Sequence, residues 1–238
     1  MSSGISADGF QISHLRKAVP LAEIIKTIIL KIIAISDTHG QHDKLALPDG
    51  DLLIHAGDIS NKGEDFEIKQ FLMWFSKQPF KDKIFIAGNH DFFFERCSVA
   101  EIEEIMPNGI IYLKDSGVEI SGIKFWGSPV TPWFMNWAFN RRRGHEIARH
   151  WDLIPNDTDI LITHGPMFRR LDKNKEGQHV GCKDLFLRSQ ALNLKAHVFG
   201  HIHQDYGTIE RQSVKFLNAS VVNENYELVN NPLVFDIL

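Results

Sequence analysis

The chain has 238 residues, 43% of them hydrophobic and 24% charged, with a formal net charge of −4. That length and balance describe a soluble globular domain that buries a full core without needing disulfides or a structural metal. The mildly acidic charge excludes a general affinity for nucleic acid or membrane, so any anionic substrate must be attracted locally. The two cysteines, Cys97 and Cys182, exclude a disulfide framework and point to a reducing cytoplasm.

Residues 1–27 read as a leader, loosely packed or amphipathic, and a second segment, 28–238, as the functional domain. Arg16 and Lys17 precede an apolar stretch, but Glu23 and Lys26 interrupt it and no small-x-small cleavage site follows. No span reaches the ~20 apolar residues of a transmembrane helix. The β-branched run 28–35 suits a strand buried on both faces. It ends in Ser36-Asp37-Thr38-His39-Gly40, so Asp37 and His39 can point into the crevice at the strand's carboxyl end. A carboxylate with an imidazole suits Zn, Mn or Fe better than Mg or Ca.

A second apolar strand, Asp51 to Asp58, ends in Gly57-Asp58, where glycine permits a sharp turn. Alone, Asp58 reads as a helix cap or turn residue; His55, inside the strand, reads as buried support rather than a ligand. Ile68, Phe71, Leu72 and Phe75 recur at helical spacing and predict a helix over 65–77, stopped by Pro79. Strand, helix, strand implies a right-handed parallel crossover. The third strand, 83–87, runs into Gly88-Asn89-His90-Asp91, and Phe92, Phe93 and Phe94 then read as core packing. A helix is expected over 99–105, before Pro107.

From Ile110 to Trp126 short apolar pieces broken by Asp115-Ser-Gly117 and Ser121-Gly122 predict antiparallel hairpins. Trp133, Phe134, Trp137 and Phe139 read as core or lid packing ahead of substrate contact, and Arg141, Arg142 and Arg143 as a solvated helix start. The strand 159–163 leads to His164-Gly165-Pro166, a fixed turn after an imidazole. Residues 172–181 read as a surface loop, and a helix is expected over 182–190. The strand 195–200 delivers His201 and His203, which lie on one side of an extended chain. Segments 207–210, 214–217 and 233–238 look like closing antiparallel strands. His14, His42, His145, His150, His179 and His197 read as surface or packing residues.

Five strand ends therefore carry Asp37 with His39, Asp58, Asn89 with His90, His164, and His201 with His203. Excluding His90, these offer too many oxygen and nitrogen donors for one tetrahedral or octahedral ion. They suit two ions sharing a bridging carboxylate.

In this order, Ser-Asp-Thr-His, Gly-Asp, Gly-Asn-His-Asp, Thr-His-Gly and Gly-His-Ile-His resemble the calcineurin-like metallophosphoesterase superfamily. Ser128-Pro, Trp137-Ala-Phe-Asn, Val180-Gly-Cys and Val198-Phe-Gly-His-Ile-His are similar to its MPPED-type branch, itself similar to class III cyclic nucleotide phosphodiesterases. The resemblance implies an α/β fold, a four-layer αββα sandwich of two mixed β-sheets flanked by helices. It implies two divalent ions, foremost Mn²⁺, with Fe or Zn as alternatives. Asp37, His39, Asp58 and His203 would hold one; Asp58, Asn89, His164 and His201 would hold the other. Asp58 would bridge them and serve catalysis, while Asn89 and His90 would contact the phosphate and His90 would assist the leaving group. Some members of that branch replace the last histidine of Gly-His-x-His and lose activity; this chain retains His203.

The implied enzyme hydrolyses phosphodiesters such as cyclic nucleotides by attack of a metal-bridging hydroxide, with no phosphoenzyme. Two divalent ions with two aspartates leave a positive site that attracts an anionic ester despite the acidic surface. Ions ~3.5–4 Å apart can clamp both sides of an in-line displacement. A phosphomonoesterase, pyrophosphohydrolase or nuclease on the same scaffold is the alternative, as is a non-catalytic scaffold that binds metal or nucleotide. The expected partner is a small phosphodiester or nucleotide, with no membrane or specific nucleic acid. The oligomeric state stays open, a homodimer included.

Overall fold

The computed structural model describes Met1 and residues 29–238, so the expected leader, beyond Met1, lies outside the described residues. β1 (Leu30–Ile35) is buried at all positions but Lys31, as a strand covered on both faces must be. β2 (Leu52–His55) and β3 (Asp82–Phe85) align with it in parallel, Ile33 beside Leu53 and Leu53 beside Lys83. β4 (Ile111–Tyr112) adds a parallel edge, and β13 (Leu233–Ile237) closes the other edge antiparallel to β1.

The second sheet runs β11-β12-β10-β9-β6-β5. Its strands are β5 (Ser116–Ile120), β6 (Ile123–Ser128), β9 (Ile160–Thr163), β10 (Ala196–Phe199), β11 (Gly207–Arg211) and β12 (Val214–Asn218). Only the edge pairs β5–β6 and β11–β12 are antiparallel. A parallel ribbon, β7 (Thr131–Pro132) with β8 (Asn140–Arg141), stands apart.

Alternation along the strands creates the layers. Ile32, Ala34, Ile54 and Ile84 pack between the sheets against Phe125, Ile162, Val198 and Leu217. The opposite residues of the first sheet, Ile33, Ile35, Leu53 and Phe85, pack on α1 (Asp65–Ser76), α2 (Phe92–Arg96) and α3 (Val99–Ile105). Leu161, Phe199 and Phe216 of the second sheet pack on Trp151 of α4 (His145–Trp151) and Leu185 of α5 (Lys183–Ser189). The result is the expected αββα sandwich. α1 buries the predicted Ile68, Phe71, Leu72 and Phe75, and Glu67 reaches back to the Glu64 N–H to close its first turn.

Two pairings and one helix start differ from the sequence reading. β4 joins the first sheet in parallel, so only β5–β6 is a hairpin, turning at Ser121 and Gly122 with positive φ at both. β12 is antiparallel to β11 as expected but lies between it and β10, to which it is parallel, with Phe216 and Leu217 buried on opposite faces. The arginine run does not begin a helix: Arg141 ends β8, and α4 starts after Gly144. Among the described residues no helix is long and apolar enough to cross a membrane.

Candidate metal centre

The carboxyl ends of β1, β2, β3, β9 and β10 converge, and the sequence-predicted residues gather there. Asp37, His39, Asp58 and His201 all adopt the left-handed backbone region, with φ of 56°, 42°, 55° and 69°. Each such non-glycine residue costs about 1–2 kcal/mol, so the surrounding structure has to hold it. Asp37 N–H donates to Gly57 O at 2.9 Å and His39 N–H to Asp58 O at 3.1 Å. His201 N–H donates to both Asp37 carboxylate oxygens, at 3.1 and 3.0 Å. These bends turn side chains from successive strand ends into one space.

Glycine makes the approach possible. Gly57 has φ 101°, and a Cβ there would lie 2.6 Å from His164 Nδ1. A Cβ at Gly200 would overlap the Asp37 carboxylate and the Ser36 hydroxyl.

Three imidazoles are backed by main-chain carbonyls, which can only accept. His39 Nδ1 donates to Ser60 O (3.2 Å), His164 Nδ1 to Ala56 O (3.0 Å) and His203 Nδ1 to Asn223 O (3.1 Å). Each ring therefore presents Nε2 to the site, the arrangement that orients metal-ligating histidines. His39 Nε2 is buried without a partner. His164 Nε2 faces Asn89 Oδ1 at 2.9 Å and Asp58 Oδ2 at 3.3 Å. In a neutral imidazole that nitrogen is a third lone pair facing two others, and a cation at their centre satisfies all of them. Oxygen and imidazole donors fit Mn, Fe or Zn.

The ionisation pattern has the same cause. Burial opposes charge on Asp37, but the hydrogen bond and charge of His203 outweigh it and hold the carboxyl below the ordinary carboxylate range. Burial likewise opposes charge on Asp58, and His164 overrides it to keep Asp58 ionised. Burial disfavours a charged His164, yet the Asp58 carboxylate pushes it up to about 9. Burial pushes His39 down to about 4 and His201 to about 3. Burial opposes charge on His203 as well, but the Asp37 hydrogen bond and charge raise it, so protons on His164 and His203 face the carboxylates of Asp58 and Asp37.

Potential donor atoms form three groups, each within 4.8 Å: Asp37, His39 and His203; His39, Asp58 and His90; Asp58, His164 and His201. Asp58 Oδ2 lies 3.8 Å from His39 Nε2 and 3.3 Å from His164 Nε2, so one carboxylate belongs to both sides. His201 and His203 do not share a side by extended alternation. The chain bends at His201 and enters a 3-10 turn at His203–Asp205, sending the rings to different groups.

His90 is held by its own contacts. Its N–H donates to Asp58 Oδ1 at 2.8 Å, its Nδ1 to Asn61 O at 2.7 Å, and its ring lies 4.1 Å from that of Trp137. His90, Trp137, Tyr226, His201 and His203 line a cavity of about 320 Å³ with Asp58 at its base.

Other residues at the site were not singled out in the sequence. Asp91 is fully buried and accepts from Gly88, Ile59 and Ser60 N–H and from the Ser60 hydroxyl, clamping the Asp58 loop to the Asn89 loop. Its place at the end of Gly-Asn-His-Asp was the available signal. Tyr226, 4.7 Å ring to ring from His39, had none beyond an aromatic in a polar stretch. His55 is buried support as read, bonded to Thr38 Oγ1 at 3.0 Å. The aromatic set divides: Phe139 is core, Trp137 lies against His90, and Trp133 and Phe134 are exposed at a cavity rim.

A sequence profile described as calcineurin-like phosphoesterase matches residues 30–205. The human metallophosphoesterase domain-containing protein 1 is 39% identical over 230 residues, covering 87% of this chain and 71% of that protein. A UPF0046 protein of Caenorhabditis elegans is 35% identical over 224 residues, covering 89% and 76%. Among solved structures, one chain superposes with a TM-score of 0.61 at 15% identity, covering 80% of this chain and 90% of its own. TT1561 of Thermus thermophilus superposes with a TM-score of 0.53 at 13% identity, covering 80% and 89%. Likeness at such low identity speaks for the fold alone.

Proposed function

Because this chain belongs to the calcineurin-like phosphoesterase family and is a metal-dependent phosphoester hydrolase, we propose that it cleaves phosphodiesters such as cyclic nucleotides at a two-ion centre. Asp37, His39, Asp58 and His203 would hold one ion, and Asp58, Asn89, His164 and His201 the other. The observation that carries this reading is Asp58 Oδ2, set between His39 Nε2 and His164 Nε2 where a bridging carboxylate belongs. Mn²⁺ is the ion we assign first, with Fe or Zn compatible with the same donors.

When bound, the ions polarise the phosphoryl oxygens and supply an activated water. The chain's own residues orient and protonate. Ser60, Ala56 and Asn223 carbonyls fix three imidazole tautomers, and Asp91 keeps the Asp58 and Asn89 loops in register. His90, anchored through Nδ1, carries a proton on Nε2 to the leaving oxygen. Among the described residues no lysine or arginine lines the central cavity, and Glu224 does. A singly charged diester suits that wall better than a doubly charged monoester.

The test is hydrolysis of bis(4-nitrophenyl) phosphate against 4-nitrophenyl phosphate with saturating Mn²⁺. The diester is expected to turn over faster. The reverse order would assign a phosphomonoesterase, and turnover of neither would leave a metal-binding scaffold.

A further inference from the structure

A second cavity, of about 490 Å³, opens beside the first, and His201 and Phe134 line both. Its volume is that of a small-molecule site. Its walls are unlike those of the central cavity, because Arg143 and Lys183 line it and no aspartate or glutamate does. In a chain with 30 acidic and 26 basic side chains, cations are expected to find carboxylates. Neither of these is in an ion pair among the described residues. The Lys183 ammonium lies 5.1 Å above the Phe168 ring. The Arg143 guanidinium donates to Gly181 O at 2.9 Å and Val180 O at 2.7 Å. Those bonds use two of its five N–H donors and fix its plane, leaving the others for a ligand.

The segment beneath them, 172–181, is the surface loop read from its sequence, and it is held in place. Buried Asp172 accepts from Arg169 N–H, Gly181 N–H and His179 Nδ1. At the rim Trp133 and Phe134 leave 59% and 60% of their surface exposed, although both are large and apolar. Planar apolar faces, an oriented guanidinium and an unpaired ammonium are together what a nucleotide requires, by base stacking and by charge-assisted bonds to phosphate.

We propose that this cavity is a subsite for a nucleotide carrying a second phosphate, with the base against Trp133 and Phe134 and that phosphate on Arg143 and Lys183. The subsite rests on the metal-centred reading, because it receives the rest of a substrate only if a phosphoester is cleaved next to it. It extends that reading to substrates with an additional anionic group, for which the central cavity has no cationic side chain.

Titration calorimetry on the Mn²⁺-loaded protein with adenosine 5′-monophosphate and adenosine 3′,5′-bisphosphate tests it. The bisphosphate is expected to bind at least ~10-fold tighter, the scale of one charge-assisted contact. Lys183→Gln should bring the two ligands close to equal affinity. Arg143→Gln should do the same, and Arg143→Lys should recover only part of the preference. Lys183→Gln breaks none of the hydrogen bonds seen among the described residues, so it decides the matter if the Arg143 variants fail to fold. Equal affinities in the wild type, or an undiminished preference in Lys183→Gln, would overturn the subsite. Diester turnover, assayed in parallel, separates the two readings. Turnover without the preference removes the subsite alone, and the preference without turnover removes the phosphodiesterase reading.

Discussion

Asp58 enters the site from a left-handed backbone, with one carboxylate oxygen on the His90 N–H and the other between His39 and His164. If it bridges two ions, Asp58→Ala should lower metal content from about two ions to one or none and abolish turnover. Two ions retained on elemental analysis would remove the bridge; His203→Ala, taking a ligand from one ion only, should be milder. His90 makes a different prediction, because both its N–H and its Nδ1 are already engaged with protein. His90→Ala should keep the metal and lose ~10²–10⁴ in rate on cyclic nucleotides, the usual scale of general acid catalysis. The loss on nitrophenyl esters should be distinctly smaller, since nitrophenolate leaves without a proton; equal losses on both would point to electrostatic contact alone. His197 tests the fold's response to acid. It is fully buried, its Nε2 bonds Thr163 Oγ1 at 2.7 Å, and burial pushes it down to about 3. Its pKa is lower folded than unfolded, so protons favour the unfolded chain. Its stabilising effect is complete above pH 6.5 and is lost as pH falls from there toward 3, by about 2 kcal/mol at pH 5. Urea unfolding of chelated protein should show wild type losing stability faster than His197→Gln between pH 6.5 and 5. Parallel curves would clear this imidazole of the effect.

The strand ends carry the next level, and they explain which features were legible in the sequence. β1, β2, β3, β9 and β10 are apolar runs that stop abruptly at ligand-competent residues, so both the strands and the site could be read from local pattern. α1 and α3 were equally legible, because apolar spacing and capping residues are properties of the segment itself. What β4 and β12 pair with was not legible, since strand direction is set by neighbours distant in sequence. The same holds for Tyr226 and Trp137, which the tertiary fold alone brings against His39 and His90. Gly200 joins the two levels, because it ends β10 directly against the Asp37 carboxylate of β1's loop. Gly200→Ala should therefore displace Asp37 and release the ion proposed to bind it with His39 and His203. Overpacking should also cost about 1–3 kcal/mol. Gly109→Ala is the matched control: nothing lies within 4 Å of its Cβ position, so only backbone strain at φ 81° is added. Elemental analysis and chemical unfolding of the two variants should separate; equal metal content would show that Asp37 tolerates the intrusion.

At the scale of the whole molecule the donors come from both sheets of the sandwich. Asp37, His39, Asp58 and Asn89 follow strands of the first sheet, whereas His164, His201 and His203 follow strands of the second. Protein contacts already join the sheets there, through Ser36 bridged to Ser220 and His201 N–H on the Asp37 carboxylate. A cation shared by Asp58 and His164, or by Asp37 and His203, adds a bond across that seam which the unfolded chain cannot make. Binding to the native state alone stabilises by about 2.7 kcal/mol per site when free metal is 100 times Kd. A domain of this size gains roughly 2–4 °C in Tm per kcal/mol. Chelation should therefore lower the Tm of the wild type by roughly 5–10 °C per site emptied, and Mn²⁺ should restore it. In Asp58→Ala the shift should shrink sharply if the proposed bridge is right, because both ions would lose a ligand, and in Gly109→Ala it should match the wild type. If Asp58→Ala responded to chelator as strongly as the wild type, the metal would be bound elsewhere and the seam would owe its stability to protein contacts alone.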